Sequence, residues 1–122
     1  MQPTDTPAEY LEFILLFNGR KFFEAHEILE RRWRQEQGEL RDYYQRLIQI
    51  AAAFVHLQKG TPEGGKELLK SAAKYLGKYR PAFMGLDLEK LFVESRACLF
   101  EGREFPRLSL RPQQRDRDSW MK

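Results

Sequence analysis

Residues 40–59 read Leu-Arg-Asp-Tyr-Tyr-Gln-Arg-Leu-Ile-Gln-Ile-Ala-Ala-Ala-Phe-Val-His-Leu-Gln-Lys. Placed about 100° apart on a helical wheel, Tyr43, Tyr44, Leu47, Ile48, Ile50, Ala51, Phe54, Val55 and Leu57 take up most of the circumference. A helix that is apolar nearly all round is a buried one. The segment is therefore expected to be a central helix wrapped by the rest of the chain. Its one polar stripe is Gln45, Gln49 and His56, with Ala52 between them, on a single narrow face.

Four further helical patterns surround it. The first runs from Pro7 to Phe17, with Thr6 as a possible cap and Asn18-Gly19 as the stop. The second runs from Arg20 to Glu36, ending before Gly38. The turn signal Gly60-Thr61-Pro62-Glu63-Gly64-Gly65 follows the central helix, with Thr61 as cap and Pro62 opening a fourth helix that continues to Tyr79. Arg80-Pro81 stops it, because proline restricts the residue before it. A loop through Met84-Gly85 leads to Asp87, which suits a cap, and the fifth helix spans Leu88 to Phe100. The reading is all-α: a compact array of five helices in one domain over 1–102. Residues 103–122 are expected to form an extended, partly disordered C-terminal tail, with Phe105 and Leu108 as anchors over the body. Arg111 to Ser119 is almost wholly polar, and Trp120 is not expected to join the core.

Bulk composition agrees. Of 122 residues, 42% are apolar and 13% aromatic, enough for a core that needs no staples. Cys98 stands alone, so no disulfide forms within the chain, and a cytoplasmic location is expected. Met1-Gln2-Pro3-Thr4-Asp5 lacks the basic and apolar regions of a signal peptide. No apolar run is long enough for a membrane span. The net charge of +3 is small and its cations are scattered, which argues against nucleic acid. The densest run, Arg31, Arg32 and Arg34, follows Glu24, Glu27 and Glu30, an order that complements the helix dipole.

The second helix holds the candidate chemistry. Ala25, Leu29, Phe22, Trp33, His26, Glu30 and Phe23 fall in one continuous arc. His26 and Glu30 thus lie inside an apolar face. The run His26-Glu27-Ile28-Leu29-Glu30 departs from the zinc-protease pattern H-E-x-x-H at its last position. A His26–Glu30 pair one turn apart could still ligate a divalent metal, with His56 as a third donor. The same pair could equally be a hydrogen-bonded element of packing, since buried polar groups need partners. Gln45, Gln49 and His56 either form a partly exposed face or close a polar pocket shared with His26, Glu27, Glu30 and Trp33. No phosphate-loop or dinucleotide pattern is present, so no nucleotide cofactor is expected.

Two stretches carry a family resemblance. Phe17-Asn18-Gly19-Arg20-Lys21-Phe22-Phe23-Glu24-Ala25-His26-Glu27-Ile28-Leu29-Glu30 with Trp33 is one. Leu47-Ile48-Gln49-Ile50-Ala51-Ala52-Ala53-Phe54-Val55-His56, with Gly60, Leu68-Leu69, Leu76 and Tyr79-Arg80-Pro81, is the other. Over positions 8–95 the chain resembles the domain of unknown function 309 family of small bacterial and archaeal proteins. The resemblance implies a compact helical array and keeps His26, Glu27, Glu30, Trp33, Gln49 and His56. It implies no activity.

Three functional expectations follow. The first is a small helical interaction or scaffold protein, with an apolar surface patch that binds a partner or a second copy. The second is a metal-dependent or acid–base enzyme with its site between helices 2 and 3. The third is weak nucleic-acid binding through Arg31, Arg32, Arg34 and the tail, which would fall steeply with salt.

Overall fold

The computed structural model describes residues 6–111. Five helices run in order: α1 (Ala8–Asn18), α2 (Phe22–Trp33), α3 (Gly38–Gln58), α4 (Pro62–Leu76) and α5 (Leu88–Glu101). The fold is all-α apart from a two-stranded hairpin, β1 (Ala82–Phe83) and β2 (Leu86–Asp87), between α4 and α5. A 3-10 turn at Gly77–Tyr79 finishes α4. No helix among the described residues is long and apolar enough to cross a membrane.

The central helix is α3. It buries Tyr43, Tyr44, Leu47, Ile48, Ile50, Ala51, Ala53 and Phe54, while Gln45, Gln49, Ala52 and His56 stay half-buried along one strip. Aromatic rings reach it from nearly every side. At one end, Phe54 meets Phe17 of α1, Phe22 of α2 and Phe105 of the C-terminal segment at ring separations of 6.0, 5.1 and 5.9 Å. At the other, Tyr43 meets Tyr10 of α1, Tyr79 of the 3-10 turn and Phe83 of the hairpin. Each fully buried ring contributes on the order of 2–3 kcal/mol of apolar transfer, which is why α3 anchors the fold.

α4 lies so close to α3 that no side chain fits between them at one point. A Cβ on Gly65 would stand 2.5 Å from the Ala53 carbonyl oxygen. The Gly64-Gly65 pair thus serves helix contact.

α2 is rotated from its expected setting. Its buried residues are Phe22, Ala25, Ile28 and Leu29, whereas Phe23 is 54% exposed. The arc read from sequence placed Phe23 inside and left Ile28 out. The physical reason is that α2 packs against α1 as well as α3. The α1-facing side of α2 thereby includes Ile28, which is buried, while Phe23 points outward. α2 also stops at Trp33, short of Glu36, as the chain turns through Arg34–Gln37 into α3.

The link between α4 and α5 is a tight hairpin, where sequence suggested a loop. Met84 and Gly85 both take positive φ, 47° and 81°, as a two-residue hairpin turn requires. Asp87 caps α5 as expected, accepting from the Lys90 N–H at 3.0 Å. Thr6 and Thr61 make no side-chain cap at α1 and α4.

Residues 102–111 lie along the body. Phe105 packs on Phe22 and Phe54, Leu108 is 5% exposed, and Leu110 bridges Leu86. Residues 112–122, which include Trp120 and most of the polar run ending at Ser119, fall outside the described residues.

Candidate functional site

Three contacts fix how α2 and α3 face each other. The Arg41 guanidinium lies 4.0 Å from the Trp33 ring centroid, Phe22 packs on Phe54, and Gln58 Nε2 donates to the Arg20 carbonyl at 3.1 Å. The helices are therefore antiparallel. Trp33 lies beside Arg41 near the start of α3, and His26 and Glu30 share the Trp33 face of α2.

Part of the expected set is half-buried on these two helices. His26 is half-buried, and its Nδ1 is enclosed without a hydrogen-bonding partner among the described residues. Its ring stacks on Phe23, with centroids 6.1 Å apart and planes 16° from parallel. Trp33 is half-buried, and its Nε1 is likewise enclosed and unpartnered. Gln45 is half-buried on α3.

The rest of the set disperses. Glu30 forms an ion pair with Arg34 at 3.5 Å. The expected His26–Glu30 pair is not formed, because a flexible arginine one turn on offers the carboxylate a full charge. Glu27 is exposed. Gln49 accepts from Arg46 Nη1 at 3.3 Å, on the α4 side of α3. His56 closes the turn into α4: its Nδ1 meets Thr61 Oγ1 at 3.0 Å, and Thr61 Oγ1 donates to the His56 carbonyl at 3.1 Å. In the antiparallel register His56 is level with residues 20–22, about 6–9 Å along the axis from His26. Among the described residues no three His, Cys, Asp or Glu side chains come together to hold a metal ion. The grouping of His26, Glu30 and His56 as one ligand set is thereby dissolved.

The cations named for nucleic acid are largely committed within α2 and the turn that follows. Arg32 pairs with Glu36, whose hydrogen bond raises the arginine pKa, and Arg34 pairs with Glu30.

Two polar clusters went unread in sequence. Arg46 sits largely buried between α3 and α4, donating to Asp42 Oδ1 at 3.1 Å and to Gln49, with its guanidinium 4.1 Å from the Tyr75 ring centroid. The available signal was its wheel position, between Ala53 and Leu57 on the buried side. The second cluster is built from tyrosines. Tyr10 and Tyr43 hydroxyls are 2.9 Å apart, with the Met84 carbonyl 3.1 Å from the first and the Phe83 carbonyl 3.2 Å from the second, so two phenolic protons are shared among three contacts. Burial pushes Tyr10, Tyr43 and Tyr44 upward in pKa, Tyr44 to about 12. These hydroxyls tie the hairpin to the core.

The comparisons with known proteins center on the same helices. The family model described as Domain of unknown function (DUF309) matches residues 10–68, from α1 into α4. The uncharacterized protein YpuF of Bacillus subtilis (strain 168) is 31% identical over 85 residues, covering 68% of this chain and 49% of that protein. The chain thus spans about half the length of that relative.

Proposed function

This chain belongs to the domain of unknown function 309 family, and on that footing we propose that it is a cytoplasmic interaction protein that grips a partner protein through the groove between α2 and α3. One observation carries the reading: two ring nitrogens on one face of α2, His26 Nδ1 and Trp33 Nε1, are enclosed without a partner among the described residues, and the His26 ring stacks on the exposed Phe23. The indole N–H can only donate, and a buried donor without an acceptor costs about 1–3 kcal/mol. A partner carbonyl or carboxylate that displaces the side chains covering these nitrogens recovers that cost. Phe23 offers apolar area at the mouth, and Arg41 on Trp33 holds the indole flat. Trp, Phe and Arg are the side chains that interfaces favour.

The test is site-specific photo-crosslinking in living cells. A benzophenone side chain at position 23 is expected to give one discrete protein adduct, weakened by Trp33→Phe, which removes the N–H and keeps a ring. The same probe at Glu67, on the outer face of α4, is expected to give none. Equal adducts at both positions, or indifference to Trp33→Phe, would overturn the proposal. Stoichiometric divalent metal in protein purified without added metal, lost in His26→Ala, would replace it with the metal-site reading.

A further inference from the structure

Two surfaces away from the α2–α3 groove are complementary to one another. The first is the outer ridge of α1. Leu11 and Leu15, one turn apart, are 41% and 73% exposed. The charged residues of this helix are Glu9 and Glu12, and it carries no lysine or arginine. Single exposed leucines need no explanation. A pair on one ridge, flanked only by carboxylates, presents a consistent pattern.

The second surface is a groove of about 260 Å³ between α4 and α5, lined by Leu69, Ala73, Phe92 and Phe100 with Lys70 and Arg96. Val93, next to Phe92 on α5, is 66% exposed. Every charged lining residue is a cation. The Lys66 and Arg96 heads both lie over the Phe100 ring, at 5.1 and 5.0 Å from its centroid. Lys70 meets Glu67 only at 3.6 Å, and neither Arg96 nor Glu12 of α1 has an ion-pair partner among the described residues. The groove is small for a cofactor and of a size for one or two aliphatic side chains.

We infer that this groove seats α1 of a second copy of the chain, with Leu11 and Leu15 entering the apolar floor and Glu12 meeting Arg96 at the rim. The ridge is apolar and acidic, the groove apolar and basic, and both belong to one molecule. Charge pairing of this kind sets register and partner choice. The contact joins unlike surfaces, so it closes by reciprocal exchange between two copies or propagates along a row.

Sedimentation equilibrium of the full chain over a concentration series tests this. Wild type is expected to self-associate. Val93→Asp, Glu12→Lys and Arg96→Glu, all at exposed positions, are each expected to weaken association by about tenfold or more, with melting temperature unchanged. The double variant Glu12→Lys with Arg96→Glu is expected to regain most of the loss, which a general surface effect would not produce. Trp33→Phe is expected to leave association untouched, so this inference and the α2–α3 reading fail separately. A wild type that stays monomeric throughout overturns the inference, as does a double variant no better than its parents. Binding of an acidic amphipathic peptide to a monomer would also overturn the second-copy assignment and give the groove to a different protein.

Discussion

Asn18 holds Leu108 as a neighbouring strand would: its Nδ2 donates to the Leu108 carbonyl at 2.8 Å, and its Oδ1 accepts the Leu108 N–H at 2.6 Å. One side chain at the end of α1 thus satisfies both backbone groups of a buried residue 90 positions away. Asn18→Ala strands both groups and is expected to cost about 1–3 kcal/mol in urea denaturation. Trypsin cleavage after Arg107 should accelerate in parallel. Unchanged cleavage would mean that Phe105 and Pro106 alone keep the segment down.

The α3–α4 contact makes a paired glycine forecast. Gly65→Ala drives a methyl against the Ala53 carbonyl and is expected to destabilise by about 1–3 kcal/mol. Gly77→Ala, with ordinary helical φ and no atom within 4 Å of the new methyl, is expected to stabilise by about 0.4–1 kcal/mol. Thermal melts of the two variants should move in opposite directions.

Alkali should unfold the protein through its tyrosines. Tyr10, Tyr43 and Tyr44 hold their protons above the unfolded value near 10, Tyr44 to about 12. The unfolded chain releases those protons first. Stability is therefore fully present below about pH 10 and falls as pH climbs toward 12, by about 1.4 kcal/mol per pH unit for each such group. Phenolate absorbance of the buried tyrosines should jump together with loss of helical circular dichroism. A smooth titration with no jump would show that the cluster is open to water.

Cys98 offers a probe of the same cooperativity. Its thiol is 4% exposed, and burial raises its pKa more than the nearby Arg20 lowers it. A thiol reagent is expected to react at a rate that tracks urea-induced unfolding. Fast reaction in native buffer would contradict this burial.

The central helix was legible because apolar residues crowd its wheel so fully that only burial accommodates them, and Tyr43, Leu47, Ala51 and Phe54 are where that argument puts them. The rotation of α2 was not legible. A wheel gives the order of residues around an axis, and only the position of α1 decides whether Phe23 or Ile28 faces inward. His56 looked like a site residue because its bond to Thr61 depends on the path of the turn. The tyrosines were counted as apolar bulk, and their acceptors are backbone carbonyls of a hairpin that forms only in the fold. Arg46 was passed over because its charge outweighed its place on the buried side. Of the candidate site, His26 and Trp33 share one face of α2, while Glu30, Gln49 and His56 are claimed by Arg34, Arg46 and Thr61.

The hairpin turn is gripped from both directions. Tyr10, early in the chain, donates to the Met84 carbonyl, and Arg111, near the far end, donates through its N–H to the Gly85 carbonyl at 2.8 Å. During synthesis, then, the first helix must wait for the last described residues before its surroundings are complete. Closing so long a loop is slow compared with zipping neighbouring helices, so folding should lag behind that of simple bundles of equal size. A ribosome-stalled chain ending before position 102 would leave Phe22, Phe54 and Leu86 uncovered, a state for chaperones to hold.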